Sequence, residues 1–211
     1  MYKKFFKRFL DILISLIALP FVLLAIILLA PFIWLEDRGP VFYNATRRGR
    51  NGKTFKMFKL RSMYVNSPNL KNADGSAFSS ANDPRVTKIG RIMRKTSVDE
   101  LPQILNVFLG HMSFIGPRPT LAVTPYEELP EISKKRLQAR PGITGYAQAY
   151  YRNSITQQEK FRHDCYYVDH VSFLLDIKIL LQTVRSVLKQ ENIYVSQDKQ
   201  HKEKAETTST K

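Results

Sequence analysis

The sequence predicts an α+β chain, mostly helical, held to a membrane by its N-terminal segment. Three observations carry that prediction. Residues 12–35, ILISLIALPFVLLAIILLAPFIWL, contain no charged residue. The stretch GPVFYNATRRGRNGKTFKMFKLRSM sets Asn51-Gly52 between two extended segments, the signature of a small β-hairpin. Beyond residue 86, apolar residues recur at helical spacing.

The apolar run comes first. At about 1.5 Å per residue it reaches about 36 Å, enough for a hydrocarbon core of about 30 Å. It is longer than a signal-peptide core and shows no small-residue cleavage site. Pro20 lies inside it, where a proline removes one backbone hydrogen bond and tends to bend a helix. Lys3, Lys4, Lys7 and Arg8 precede the run; Arg38, Arg47, Arg48, Arg50 and Lys53 follow it. Positive charge marks the cytoplasmic side of a membrane, so both flanks ask for the same side. A helix that enters, breaks near Pro20 and returns meets that demand. A kinked single span is the alternative. The expected organisation is an anchor over 1–36, a cytosolic domain on the membrane face over 37–195, and a disordered polar tail over 196–211.

In the soluble part the hairpin strands are expected at Val41–Tyr43 and Thr54–Leu60. Residues 66–82, rich in Ser, Asn, Ala and Gly, predict an exposed loop. Helical pattern resumes at Val86–Arg94 and Val98–Leu109. Thr156 and Glu159 make a capping box for a helix through about Val168. A last helix, about Ser172–Lys189, gathers Phe173, Ile177, Leu180, Leu181, Val184 and Leu188 near one face. Such a stripe fits core packing or, beside an anchor, the bilayer interface.

The 211 residues carry a net charge of +15, which points to an anionic partner: nucleic acid, an acidic membrane surface or a phosphorylated substrate. Cys165 is the single cysteine, so an internal disulfide and a cysteine-cluster zinc site are excluded.

Against this basic background Asp99 and Glu100 stand side by side. Ser97 and Glu100 could form a helix-capping box, and acids in a first helical turn suit the helix dipole. Yet Arg85, Lys88, Arg91, Arg94 and Lys95 come just before them, and GPRP sets Arg118 between two prolines just after. Cations favour the ionised carboxylate, the form needed by a nucleophile or a metal ligand. Phosphoryl transfer uses such a nucleophile, a divalent cation and cations around phosphorus. Both readings stand at this point.

DPRVTKIGRIMRKTSVDELPQILNVFLGHMSFIGPRP and RPGITGYAQ resemble the bacterial sugar transferases, the small monotopic phosphoglycosyl transferases. The hairpin segment and FRHDCYYVDHVSFLLDIKILLQTV extend the resemblance over roughly residues 1–190. It implies transfer of a sugar 1-phosphate from a UDP-sugar to a polyprenol phosphate such as undecaprenyl phosphate, with release of UMP. It implies Asp99 as the nucleophile and Glu100 as a ligand or positioner of Mg²⁺, with Asp99 beside it. Lys59 and Arg118 would contact phosphate, with Arg61, Arg85, Arg94 and Arg140 as further candidates. It also implies a re-entrant anchor, the bacterial inner membrane with the domain on its cytoplasmic face, and interfacial helices around a catalytic helix. The lipid bilayer is then a partner and nucleic acid is not, with a homodimer left open. Three positions depart from the family pattern: His111 stands for an Asp, Tyr146 for a Trp, and AYYRNS for an Asn-Gly-Arg ending that Arg152 could supply.

Two rivals remain: a membrane-anchored module that binds anionic lipid or nucleic acid, and a glycosyltransferase that releases UDP. No RNA-recognition signature and no Asp-x-Asp motif support them.

Overall fold

A computed structural model describes residues 1–68, 70, 78, 80 and 82–189. Part of the expected 66–82 loop, and all of the expected 196–211 tail, lie outside the described residues. After a π-helical turn at Tyr2–Phe6, the elements run α1 (Lys7–Asp37), β1 (Ala45–Arg48), β2 (Thr54–Met57), α2 (Lys88–Thr96), α3 (Gln103–Phe108), β3 (Ser113–Ile115), β4 (Thr120–Leu121), α4 (Glu131–Arg136), β5 (Gly142–Thr144), α5 (Tyr146–Tyr150), α6 (Gln157–Asp169) and α7 (Phe173–Leu188). The α+β class is as expected.

Helix α1 is 31 residues long and continues through both Pro20 and Pro31. The break expected at Pro20 is therefore not an interruption of the helical backbone. A proline removes one hydrogen bond of the ladder, and in this run of Leu, Ile, Ala and Phe the bonds on either side persist. Asp11, Ser15, Val22 and Ile33 are buried, whereas Phe21, Leu23, Leu24, Ile27 and Leu28 are exposed.

Both ends of α1 are fastened to the same domain. Near its start, Arg8 donates to the Val107 and Phe108 carbonyls at 2.6 and 2.8 Å, closing the C-terminal end of α3. Asp11 accepts from the Ser113 hydroxyl and the Phe114 N–H, both at 3.1 Å. Near its end, Glu36 accepts from the Lys88 and Ile89 N–H groups at 2.7 and 3.2 Å, where the α2 dipole favours an anion. Asp37 takes a 2.5 Å bond from Arg61. Ile33 packs with Leu60 and Met93.

The hairpin forms, shifted from its expected place. Asn51 and Gly52 adopt positive φ of 55° and 79°, as a tight turn between twisted strands requires. Counting back from that turn pairs Arg48 with Thr54 and Ala45 with Met57, so the first strand lies at 45–48 rather than 41–43. The second stops at Met57 because the Phe58 N–H turns to the Asn106 side chain, 2.8 Å away. Strand β4 joins the free side of β1, giving an antiparallel sheet of order β2-β1-β4, and β3 pairs with β5 in parallel. Phe55 and Met57 pack on Val107 and Met112, while Ile115, Ala149, Tyr167 and Ile179 form a second cluster.

Helix α6 starts with the expected capping box between Thr156 and Glu159. Helix α7 buries Ile179, Asp176 and Ser186, and turns Phe173, Ile177, Leu180, Leu181, Val184 and Leu188 outward. The apolar stripe is thus not core. Asp176 explains the orientation: it accepts from Tyr167, Tyr2 and Lys7 at 2.7, 2.6 and 2.6 Å, tying this helix to the start of α1. The Tyr2 and Phe173 rings meet edge to face at 5.8 Å, joining the start of α7 to the turn that precedes α1.

Candidate active site

Asp99 and Glu100 sit in a 3₁₀ turn, Val98–Glu100, between α2 and α3. The helix expected over 98–109 is divided here, since α3 begins only after Pro102. Ser97 adopts φ 58° and closes α2, with its N–H on the Met93 and Arg94 carbonyls, and its side chain makes no capping bond to the turn that follows. The Ser97–Glu100 capping box therefore does not form. Glu100 has stronger partners, because bonds from cations outweigh those from neutral N–H groups.

Those partners are Lys59 and Arg118. The Lys59 ammonium lies 3.0 Å from Asp99 Oδ2 and 3.1 Å from Glu100 Oε1, so one cation spans both carboxylates. Arg118 reaches Glu100 Oε1 at 3.3 Å. Burial raises the Glu100 pKa, but the charges and hydrogen bonds of Lys59 and Arg118 outweigh it and bring the carboxyl to about 2. Asp99 is only 2% exposed. Arg118, its side chain 58% exposed, reaches into solvent.

Main-chain contacts set this geometry. The Leu60 N–H donates to the Asp99 carbonyl at 2.9 Å, and the Tyr43 N–H to the Lys59 carbonyl at 2.9 Å. Lys59 is thereby fixed between the approach to the hairpin and the acidic turn. Asn106, fully buried on α3, accepts from the Phe58 N–H and donates to the Lys56 carbonyl at 2.7 Å, aligning β2 with α3.

The GPRP loop is set by docking against RPGITG. The Gly116 N–H donates to the Thr144 carbonyl at 2.9 Å and the Gly142 N–H to the Pro117 carbonyl at 3.0 Å. A Cβ on Gly116 would lie 2.2 Å from the Arg140 carbonyl, and one on Gly142 would lie 2.2 Å from the Gly116 nitrogen. Only glycine permits this approach. Arg136 then grips the Arg118 carbonyl at 2.6 Å while bonding Asp164 at 2.6 and 3.0 Å and stacking on Phe161 at 4.3 Å.

The remaining candidates fall elsewhere. Arg61 is buried and bonds Asp37 and the Ile33, Pro40 and Met63 carbonyls, closing the end of α1. Arg85 is buried against Asp83 at 2.6 Å and donates to the Pro68 carbonyl. Internal acids and carbonyls occupy both guanidinium groups, which the motif alone does not show. Arg94 bonds the Ser62 hydroxyl at 2.9 Å. Arg140 bonds the Gly110 carbonyl at 3.1 Å and lines a different cleft, beside Arg8 and Arg50. His111 stacks on Phe55, centroids 5.7 Å apart. Tyr146 joins Tyr150, His163 and Tyr166 in an aromatic cluster.

An open cleft borders Glu100. Leu101, Ile104, Phe114, Ile143 and Val187 give it an apolar wall, and Gln148 and Arg152 contribute polar groups. Arg152, doubtful from the sequence, is thus brought to this cleft. Among the described residues, the buried side-chain polar atoms without a partner are Arg47 Nε and Gln148 Oε1. Arg47 counted in the sequence only as flanking charge; its alternation on a strand beside Arg48 was the signal available.

Among the described residues no group of three or more His, Cys, Asp and Glu gathers. The described residues alone therefore form no wholly protein-built metal cage. Two carboxylates converging on one cation do fit Mg²⁺, which is commonly held by one or two carboxylates together with substrate phosphates.

Fold and site define a class: an α+β domain with a long apolar helix consistent with membrane association, presenting paired carboxylates among cations. Residues 2–190 match the family model described as bacterial sugar transferase. The chain belongs to that family. It is 43% identical over 190 residues to the galactosyl transferase CpsE of Streptococcus agalactiae, covering 86% of this chain and 42% of that protein. It is 40% identical to the uncharacterized sugar transferase EpsL of Bacillus subtilis, covering 89% of each. It is 38% identical to the UDP-N-acetylgalactosamine-undecaprenyl-phosphate N-acetylgalactosaminephosphotransferase of Aeromonas hydrophila, covering 87% of this chain and 44% of that protein. The chain thus spans less than half the length of CpsE and of the Aeromonas transferase.

Proposed function

We propose that this protein transfers a sugar 1-phosphate from a UDP-sugar to undecaprenyl phosphate and releases UMP. The observation that carries the reading is the single ammonium of Lys59 spanning Asp99 and Glu100, with Arg118 on the same Glu100 oxygen. The donor's phosphate oxygens draw Lys59 and Arg118 to themselves, which uncovers Asp99. An Asp99 carboxylate oxygen attacks the phosphorus next to the sugar; the new O–P bond forms as the bond to the bridging oxygen breaks, and UMP leaves with that oxygen. An oxygen of undecaprenyl phosphate then attacks the same phosphorus and frees the Asp99 carboxylate. Two displacements let donor and acceptor use one site in turn. Glu100, ionised down to about pH 2, would hold Mg²⁺ with Asp99 beside it. When bound, the ion supplies neutralisation of phosphate charge.

The anchor fits a lipid-borne acceptor. At about 1.5 Å per residue α1 is about 46 Å long, more than a hydrocarbon core of about 30 Å. Yet polar groups at both of its ends bind one domain, which supports both flanks lying on a single, cytoplasmic side of the inner membrane. The outward stripe of α7 supports seating at the interface. The apolar-walled cleft ending at Glu100 suits a ligand with a hydrocarbon tail and an anionic head.

Purified protein with Mg²⁺, undecaprenyl phosphate and a panel of UDP-sugars is expected to release UMP from at least one donor. Release of UDP, or no nucleotide from any donor, would defeat the reading.

A further inference from the structure

Arg47 occupies the central strand of the three-stranded sheet, opposite Phe55 on β2 and Leu121 on β4. Paired residues of antiparallel strands share a face, so Arg47 points to the side on which Phe55 packs against Val107 and Met112. Its neighbour Arg48, on the other face, is satisfied by the Gly52 and Thr124 carbonyls. The Nε of Arg47 is buried and has no partner. A guanidinium nitrogen withdrawn from water without an acceptor is costly, and such a group in a native fold calls for an explanation.

Its surroundings supply one. Burial, and next the like charge of Arg118, lower the pKa of Arg47, while Tyr43 and Glu100 oppose them. Strand β4 pairs with Arg47 at Leu121, three residues beyond Arg118, which brings Arg47 to the Arg118 side of the acidic site. The Glu100 carboxylate is already bonded to Lys59 and Arg118. An acceptor-rich anion would satisfy the Arg47 nitrogen. Lys59 spans both carboxylates, where the reacting phosphorus must arrive, and Arg118 on Glu100 and Arg47 on the neighbouring strand supply further cations. A diphosphate, two phosphates joined through one oxygen, matches two adjacent sets of cations.

We propose that Arg47 binds, together with Arg118, the phosphate that departs with the nucleoside, donating through its buried Nε to a non-bridging oxygen. This assignment rests on the phosphoglycosyl transfer reading and adds to it a substrate-binding residue. UMP is the minimal ligand carrying that phosphate, so it serves as the probe.

The test is calorimetric titration of UMP with Mg²⁺ into the full-length, detergent-solubilised protein and its Arg47→Gln, Arg47→Lys and Lys56→Gln variants. Lys56 is an exposed cation on the same hairpin and controls for general charge. Arg47→Gln is expected to weaken UMP by about ten- to a hundred-fold. Arg47→Lys should recover part of that loss, and Lys56→Gln should match the wild type. The ligand-free melting temperature of Arg47→Gln should hold or rise, because an unsatisfied inner-face group has been removed. Unchanged UMP affinity in Arg47→Gln, with a wild type that releases UMP from a UDP-sugar, would overturn this assignment alone. So would a fall in melting temperature with no recovery by Lys, the mark of a packing role. A wild type that releases no UMP would defeat the parent reading and take this assignment with it.

Discussion

Arg136–Asp164 and Lys59–Asp99–Glu100–Arg118 are both clusters of cations and carboxylates, and they differ in how completely they are closed. In the first, side chains 3% and 5% exposed meet one to one at 2.6 Å, and the spare guanidinium donor binds the Arg118 carbonyl. Nothing is left over. In the second, one ammonium serves two acids, Glu100 borders an open cleft, and a buried arginine nitrogen nearby has no partner. A charged cluster satisfied from within holds a fold together, whereas one that shares a cation between two acids and borders a cleft keeps groups available for a ligand. The two are linked, since the closed pair fixes the backbone from which Arg118 reaches the open one.

Substitutions should separate the two clusters. The largest effect is expected at Asp99. Asp99→Asn keeps the shape of the side chain, so its melting temperature should change little, while turnover in a UMP-release assay should fall by at least about 10³-fold. Arg136→Ala should do the reverse. It leaves the Asp164 charge buried and alone, and thermal or denaturant unfolding should register a loss of about 3–5 kcal/mol. Replacing both partners with apolar residues should cost far less. If Arg136→Ala proved as stable as the wild type, the contrast between the two clusters would collapse.

Arg118→Lys keeps the charge and loses the fork. A drop of about ten-fold in kcat/KM is expected, without loss of stability. A smaller effect concerns pH. The Glu100 carboxyl falls from an ordinary 4.5 to about 2 on folding, so its contribution to stability is complete above about 4.5 and is lost as pH falls toward 2. Removing the Lys59 charge, as in Lys59→Met, should move that value upward. Acid unfolding curves should then show the loss at higher pH than in the wild type. Smallest of all should be the effect of Leu181→Ser on α7. The residue is 65% exposed, so folding should shift by no more than about 0.5 kcal/mol, while vesicle flotation should show weaker binding to bilayers.

What could be read from the sequence was what local chemistry dictates. Asn51-Gly52 announced the hairpin, Thr156 and Glu159 the start of α6, and the uncharged run the long helix. Lys59, Asp99, Glu100 and Arg118 were identified through family motifs and do converge. What could not be read depends on contacts distant in sequence. The parallel pairing of Ser113–Ile115 with Gly142–Thr144 rests on two glycine backbones in close approach, and strands this short carry no periodic signal. The α7 stripe gave a face without saying what covers it, and only the ties at Asp176 decide that it turns outward. Arg61 and Arg85 read like Lys59 and Arg118 because charge in a sequence does not show its partner.

The most direct test is a single turnover without acceptor. Protein mixed with Mg²⁺ and the UDP-sugar that supports UMP release would be quenched and analysed by intact and peptide mass spectrometry. The account predicts UMP in amounts matching the enzyme, and a sugar-phosphate mass added to the peptide that contains Asp99. UMP release that requires the acceptor, with no adduct on Asp99, would contradict it.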